Sequence, residues 1–226
     1  MKYILKDLKS YVPQGICEIN KKYYITMYDS NHELNSKIRI YDLYFENYEE
    51  VLLNNKCHLG GIAYDKKNNK IWLTETNSLS RYDINLKKEK EFIIKDIINS
   101  SNQNSIAYVT INDNKLYCGN FTLSKKENPI LKEYIIDKDN LILYDTKQFY
   151  NKVQGLFFKD DTMYVSTSYG RHNKSHLIIN EKEIEMPPLM EQILINHDDK
   201  LVMLFECNAE KYKTSKKSYD IIIKDV

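Results

Sequence analysis

Residues 14–42 read QGICEINKKYYITMYDSNHELNSKIRIYD, and this stretch contains the pattern that decides the fold. It holds three short runs rich in β-branched and aromatic residues, at Gln14–Ile19, Tyr23–Tyr28 and Lys37–Asp42. Asn, Asp, Lys and Ser cluster between the runs. Runs of this composition bounded by turn-forming residues predict β-strands. The stretch therefore predicts a unit of three short strands.

The same unit recurs four more times along the chain. The units begin at residues 14, 60, 104, 154 and 191, so successive steps are 46, 44, 50 and 37 residues. A repeat of about 40–50 residues with several short strands is typical of the blades of a β-propeller. Second and third strands of the later units are predicted at 71–74 and 79–83, 116–119 and 141–145, 163–166 and 176–179, and 201–205 and 219–223.

The two ends of the chain complete the pattern. Fourth strands are predicted at 50–53, 91–94 and 183–186, whereas the third unit marks its fourth strand poorly and the fifth has none. The run Lys2–Lys6 has no unit in front of it, so we expect it to pair beside Tyr219–Ile223 and close the ring. The sequence predicts an all-β, five-bladed propeller of four-stranded antiparallel blades, as one domain over residues 1–226. The alternative, a β-sandwich or jelly roll, does not require five similar units.

Composition excludes several functional classes. Lys and Arg total 33 and Asp and Glu total 32, which gives a net charge of +1. The chain therefore lacks the excess of positive charge that is typical of proteins that bind nucleic acid or an anionic membrane. No apolar run is long enough to span a membrane, and the N-terminus lacks a signal-peptide core, which favours a cytoplasmic protein. The four cysteines are scattered, which favours free thiols over a zinc or redox motif. We expect a monomer.

A binding site is expected where loops converge on the propeller axis. Loops leading into the first strands share one face with loops joining the second and third strands. Loops on a rigid scaffold commonly carry binding residues. The strand assignment places polar and aromatic side chains on this face, a mixture that suits a small polar ligand. The candidate ligand-binding residues are Gln14, Asn120, Gln154, Tyr169 and Arg171.

Three further residues on the same face are candidates for catalysis. Glu191, Glu206 and His58 supply two carboxyl groups and an imidazole, which suit general acid–base chemistry or a bound cation. Arg171 follows Gly170 in a polar turn, where its guanidinium would grip a carboxylate or phosphate. Without a ligand, we expect Arg171 to pair with Glu206. Each of these polar residues would also be explained by ordinary turn hydrogen bonding.

Several known motifs are absent from the chain, whereas other segments resemble those of known proteins. The chain has no G-x-S-x-G elbow, P-loop, dinucleotide fingerprint or W-D repeat dipeptide. The segments that carry a resemblance to known proteins are Pro13–Ile16, His58–Ala63, Cys118–Phe121, Val153–Leu156, Ser168–Arg171 with Ser175, and Leu204–Glu206 with Ala209 and Tyr212. Through them the chain resembles bacterial propellers of the YncE-like and gluconolactonase-like group, and more narrowly a set of bacterial five-bladed propeller-like proteins.

The resemblance implies a divalent cation such as calcium, because gluconolactonase-like enzymes hold a metal on the axis with carboxylates and an Asn. Glu191, Glu206 and Asn120 would take that part here. The leading hypothesis is therefore binding of a small polar ligand on the loop face, with cation-assisted hydrolase or lyase activity as a further step. The alternative is a non-catalytic scaffold for protein interactions, since propellers host many functions.

Overall fold

The computed structural model describes residues 1–214 and 218–225, and it confirms the five-bladed propeller. The described residues form five four-stranded antiparallel sheets, here called blades 1 to 5. Within each blade the strands are given from the axis outward. Blade 1 consists of β2 Tyr11–Ile19, β3 Lys22–Asp29, β4 Lys37–Tyr41 and β5 Tyr48–Leu52, and blade 2 of β6 Ile62–Asp65, β7 Lys70–Glu75, β8 Ser78–Tyr82 and β9 Lys88–Ile93. Blade 3 consists of β10 Tyr108–Asn112, β11 Lys115–Gly119, β12 Ile130–Asp137 and β13 Asn140–Gln148, blade 4 of β14 Val153–Lys159, β15 Thr162–Thr167, β16 Ser175–Ile179 and β17 Lys182–Met186, and blade 5 of β18 Met190–Ile195, β19 Lys200–Phe205, β20 Ile221–Asp225 and β1 Lys2–Tyr3.

The innermost strands form a closed ring. Each contacts the innermost strand of the next blade, in the order β2, β6, β10, β14, β18 and back to β2. Five apolar clusters accompany the ring and fill the spaces between adjacent blades. In the cluster between blades 2 and 3, for example, the fully buried Trp72 packs with Val109 and Leu116. Burial of these apolar side chains is the main force that holds the blades together.

The N-terminal strand completes the last blade, as the sequence predicted. Lys2 pairs with Ile222 and Tyr3 with Ile221. The pairing is shorter than the predicted Lys2–Lys6. Beyond Tyr3, the backbone N–H of Leu5 donates instead to the Asp220 carboxylate over 2.9 Å. The Leu5 side chain is buried in the cluster between blades 5 and 1, so the segment is fixed by apolar packing as well as by pairing.

Tight turns explain why Asn and Asp recur between the strands of the repeat. Three two-residue hairpin turns have a positive φ at both central residues, at Asn20–Lys21, Asp113–Asn114 and Asn180–Glu181. Such turns match the right-handed twist of the flanking strands. Asn and Asp tolerate the left-handed conformation better than most residues other than glycine. The turn residues therefore fix the strand registers within the blades.

Blade 3 corrects two sequence predictions. Residues 141–145, predicted as its third strand, lie in the outermost strand β13, and the third strand is Ile130–Asp137. The innermost strand begins at Tyr108, so residues 104–107 precede it. A long connection that contains the three-residue 3-10 helix Lys125–Glu127 delays the third strand. No helix among residues 1–214 and 218–225 is long and apolar enough to cross a bilayer.

The side chain of Gln192 reaches across the propeller axis. Its Oε1 accepts hydrogen bonds from the backbone N–H groups of Ile16 (3.3 Å) and Ile62 (3.0 Å), and its Nε2 donates to Ile62 O (2.7 Å). A Cβ added at Gly15 would lie 2.9 Å from Gln192 Oε1 and 2.7 Å from Thr26 Oγ1, so only glycine fits there. Gln192 therefore links blade 5 to blades 1 and 2 at the centre.

Candidate functional site

A cavity of about 590 Å³ lies on the face where the innermost strands begin; we call it the loop-face cavity. Every blade contributes to it twice, through the start of its innermost strand or the segment leading into it, and through the end of its second strand or the loop that follows. The first group contributes Gln14, His58, Ser105–Ala107, Gln154 and Glu191, and the second contributes Tyr28, Thr76, Phe121, Tyr169 and Glu206. The convergence of these two groups of loops is the geometry that the repeat predicted.

β-Bulges aim three of the lining side chains. The strand register shifts between Pro13 and Gly15 in blade 1, between Val153 and Gly155 in blade 4, and between Met190 and Ile193 in blade 5. Gln14, Gln154 and Glu191 lie within these shifts. A bulge inserts an extra residue into one strand and re-aims its side chain, and bulges are frequent beside functional sites. The three bulges therefore turn two amides and one carboxyl group toward the loop-face cavity.

Glu191 and Glu206 form what we call the acid pair. Both side chains are almost fully buried, with exposures of 2% and 6%. They lie on adjacent strands, where Met190 pairs with Phe205. Glu206 Oε2 accepts a hydrogen bond from Gln14 Nε2 at 3.0 Å. Within residues 1–214 and 218–225, no hydrogen bond reaches the Glu191 carboxyl group. The pair therefore presents one partnered and one unpartnered carboxyl group to the cavity.

Burial changes the protonation of the acid pair. Removal from water, together with the neighbouring Glu206, holds the pKa of Glu191 well above its usual value. Burial raises the pKa of Glu206 to about 8, against the opposing effects of the Gln14 hydrogen bond and the Lys211 ammonium. The acid pair therefore retains protons at neutral pH. Perturbed acids in a cleft are a recognised sign of a functional site.

Aromatic side chains surround the acid pair. The ring of Tyr28 lies 4.6 Å from that of His58, centroid to centroid, and Phe121 lies 6.4 Å from Tyr169. The surrounding protein lowers the pKa of His58, an effect to which Lys211 and His32 add, so its imidazole is neutral at pH 7. Burial raises the pKa values of Tyr28 and Tyr212, the latter to about 12. The walls of the cavity are therefore polar and aromatic but uncharged.

Asn120 and Arg171 lie outside the lining of the loop-face cavity. Asn120 Oδ1 accepts from Ile130 N at 2.8 Å, and its Nδ2 donates to Ile98 O at 2.6 Å and to Asn128 O at 3.2 Å. The side chain therefore organises the loop after β11. Its neighbour Phe121 lines the cavity instead.

Arg171 lies on the loop face, as the strand order requires, but its predicted pairing with Glu206 is wrong. Arg171 Nη2 donates to the carbonyl oxygen of Lys211 at 2.6 Å, and its guanidinium lies 5.8 Å from the centre of the Tyr212 ring. The polar partner of Glu206 is Gln14. Arg171 thus supports the segment that carries Tyr212, which lines the loop-face cavity.

The residues present do not fit the divalent cation that the resemblance implied. A calcium site normally uses six to eight oxygen ligands. In the described part of the chain, no group of three or more His, Cys, Asp or Glu side chains is placed to hold a metal ion. Of the three expected ligands, Asn120 is committed to backbone groups and lies outside the cavity. The acid pair and Asn120 therefore do not form the ligand set that the resemblance implied.

Some of the lining could not be read from the repeat. The segment Asn99–Ser105, between blades 2 and 3, and Tyr212 both line the cavity. The former belongs to a connection outside the repeat, where strand assignment gives no position. The glutamines that precede Gly15 and Gly155 were a usable signal, because each glycine follows a bulge.

Comparisons with known proteins support the fold. No family model matches the chain, and no curated protein matches it. Among solved structures, the PQQ-bound aldose sugar dehydrogenase of Streptomyces coelicolor has a TM-score of 0.61 at 10% identity, over 99% of this chain and 96% of that one. A chain of a nidogen/laminin complex has a TM-score of 0.56 at 11% identity, over 89% and 78% of the two chains. Hydrazine synthase of Kuenenia stuttgartiensis has a TM-score of 0.52 at 11% identity, over 89% of this chain and 57% of that one.

Proposed function

We propose that the loop-face cavity binds a small polar ligand, with the acid pair as its main recognition element. The observation that carries this proposal is the carboxyl group of Glu191, a residue only 2% exposed, which lines the cavity and accepts no hydrogen bond from the described residues. A polar group largely removed from water favours a hydrogen-bonding partner. A ligand that donates hydrogen bonds to this carboxyl group would supply one. The cavity volume of about 590 Å³ is suitable for a small molecule.

The acid pair also supports a catalytic role in hydrolysis or elimination. The pKa of Glu206 is raised to about 8 and that of Glu191 is raised too, so a carboxyl group of the pair can donate a proton near neutral pH. His58 is a neutral imidazole in the same cavity and provides the base. The proposed chemistry is therefore general acid–base catalysis that uses the chain's own side chains.

A thermal-shift screen with small polar metabolites tests this function, because a ligand that binds only the native state raises the melting temperature. We expect at least one compound to stabilise the protein and Glu191→Gln to abolish its effect. Glu210→Gln removes an exposed acid next to Lys211 and serves as the control, which should respond like the unmodified protein. Stabilisation that persists in Glu191→Gln would place binding elsewhere and contradict the proposal.

The alternative function, a scaffold for protein partners, is favoured by the outer strand of blade 3. Ile142, Leu143 and Tyr144 of β13 are exposed, by 49%, 52% and 63%. Clustered exposed apolar residues are a feature of interaction surfaces. If this strand is the functional surface, replacing the three residues with Lys, Glu and Ser would remove partner capture, and Glu191→Gln would leave it unchanged.

A further inference from the structure

The lining of the loop-face cavity contains two buried acids, Glu191 and Glu206, but no Lys or Arg side chain. Its ionisable side chains are the acid pair, His58 and the three tyrosines Tyr28, Tyr169 and Tyr212. Among the described residues, Lys211, Arg171 and Lys152 lie near the tyrosines of this lining. Lys211 and Arg171 are exposed and Lys152 is half-buried. A buried carboxylate is stabilised chiefly by a positive charge or by hydrogen-bond donors. The floor of the cavity therefore lacks the positive partner that its acids would favour.

The mouth of the cavity shows how this protein accommodates an ammonium group. Lys211 Nζ lies 5.2 Å from the centre of the Tyr212 ring and 5.9 Å from that of Tyr28, and it donates to the Tyr28 hydroxyl at 3.4 Å. Its charge also lowers the pKa of Glu206. Lys211 thus places a primary ammonium beside aromatic rings and under the influence of a buried acid. Cation–π attraction and carboxylate attraction act on it together.

We propose that the ligand of the loop-face cavity is a small organic cation whose primary ammonium group binds against Glu191 and Glu206. This inference rests on the proposed ligand-binding function and specifies its chemical class. The ammonium would donate to the unpartnered Glu191 carboxyl group. The polar body of the ligand would meet the amides of Gln14 and Gln154, which the bulges aim into the same cavity.

Binding of such a cation should change the protonation of the acid pair. The free acid pair retains protons at neutral pH, and an ammonium beside it favours the ionised carboxylates. The bound proton is therefore released to the buffer as the ammonium arrives, and no covalent bond changes. The ionisable groups that face the acid pair are Tyr28, His58, Cys207, Lys211 and Tyr212. Burial raises the pKa values of the tyrosines and Cys207, so they stay neutral at pH 7.

The test uses matched pairs of compounds that differ in one ammonium group. The pairs are glucosamine and glucose, ethanolamine and ethylene glycol, and 1,4-diaminobutane and 1,4-butanediol. Calorimetric titration of the full chain measures each affinity at pH 7, in two buffers with different ionisation enthalpies. In at least one pair we expect the amine to bind about tenfold tighter or more, because hydrogen bonds to charged groups are the stronger ones. We also expect proton release on amine binding.

Variants then assign the effect to the acid pair. Glu191→Gln and Glu206→Gln should remove the preference for the amine and the proton release, whereas Glu210→Gln should retain both. If neutral compounds bind in a manner that depends on Glu191 while the ammonium group gives no gain, the cation inference is overturned and the proposed function stands. If neither member of any pair binds and the wider metabolite screen is also negative, both are overturned.

Discussion

Glu191 and Gln192 are adjacent in the chain but serve different surroundings. Glu191 lines the loop-face cavity, whereas Gln192 bonds to backbone groups across the axis and lines a second cavity of about 460 Å³ on the opposite face. The bulge between Met190 and Ile193 makes this possible, because an extra residue interrupts the regular alternation of the strand. The strand pattern alone placed Glu191 on the loop face but gave no position for Gln192.

The acid pair should make the protein less stable as pH rises. The pKa of Glu206 is raised to about 8 and that of Glu191 lies well above normal, so the folded state binds more protons than the unfolded state between pH 6.5 and 8.5. The free energy of unfolding should fall across this window, by up to about 1.4 kcal/mol per pH unit for each retained proton. Urea unfolding, followed by the fluorescence of the buried Trp72, measures the slope.

Two comparisons isolate the origin of that slope. Glu206→Gln removes one titrating carboxyl group and should flatten the dependence, while Glu210→Gln should leave it unchanged. Below pH 6.5 the lowered pKa of His58 acts in the opposite direction, since the unfolded state then binds the additional proton. Stability that rises between pH 6.5 and 8.5 would show that the acid pair is ionised in the folded protein.

Gln192 should be important for stability rather than for binding. Replacing it with Leu leaves the N–H groups of Ile16 and Ile62 and the carbonyl of Ile62 without their partner. Buried groups that lose a partner destabilise a protein by about 1–3 kcal/mol each, so we expect a total loss of at least about 3 kcal/mol in urea unfolding. Gln154→Leu, in the loop-face cavity, is the control with a smaller expected effect. Equal losses in both variants would argue against the central hydrogen bonds.

At the scale of elements, most strands could be predicted because turn residues and apolar runs alternate clearly. The strand prediction for blade 3 was wrong for a physical reason. Strand β12 carries Lys132 and Glu133, both buried, which weakens its apolar pattern. Lys132 Nζ donates to Lys95 O at 2.6 Å, and Glu133 pairs with Lys115 at 2.6 Å. These charges are compatible with a buried strand only because of partners far away in sequence, which a local pattern does not reveal.

The candidate site was predictable where it follows the repeat. Gln14 and Gln154 lie at equivalent positions near the start of innermost strands, Tyr169 and Glu206 both follow second strands, and all four line the cavity. Asn120 also follows a second strand, but its amide bonds to the backbone of Asn128 and Ile130, at the end of the connection after β11, and to that of Ile98, between blades 2 and 3. Position in a repeat gives the face on which a residue lies, whereas side-chain direction depends on local hydrogen bonds.

Strand β1 should be essential to blade 5. Deleting residues 1–8 removes its pairing with Ile221 and Ile222 and the buried side chains of Leu5 and Leu8. The edge of β20 is then open, and open edges favour association. We expect a melting temperature at least about 10 °C lower, since two large buried side chains contribute several kcal/mol. Light scattering should detect association of the truncated chain.

A synthetic peptide provides the control for this deletion. Residues 1–8 added in trans should restore much of the lost stability, and a scrambled peptide should not. Full stability of the truncated chain without any peptide would show that the closing strand is dispensable.

For the whole molecule, closure places Met1 beside β20, the last strand that the structure describes. The amino group of Met1 donates to Ile223 O at 2.6 Å. A circular permutant should therefore fold when a short Gly-Ser linker joins residue 226 to residue 1 and the chain is opened at the Asn180–Glu181 turn. Exposed hairpin turns tolerate new termini. We expect a melting temperature within about 10 °C of the parent, and a similar loss as in the deletion would contradict the closure.

The side chain that crosses the axis also determines how molecules can move. Gln192 separates the loop-face cavity from the cavity of the opposite face, so within the described residues the central channel is interrupted rather than open. A compound in the loop-face cavity must then depart through the mouth by which it arrived. For the proposed catalytic role, a product would then have to leave through this mouth before the next substrate enters.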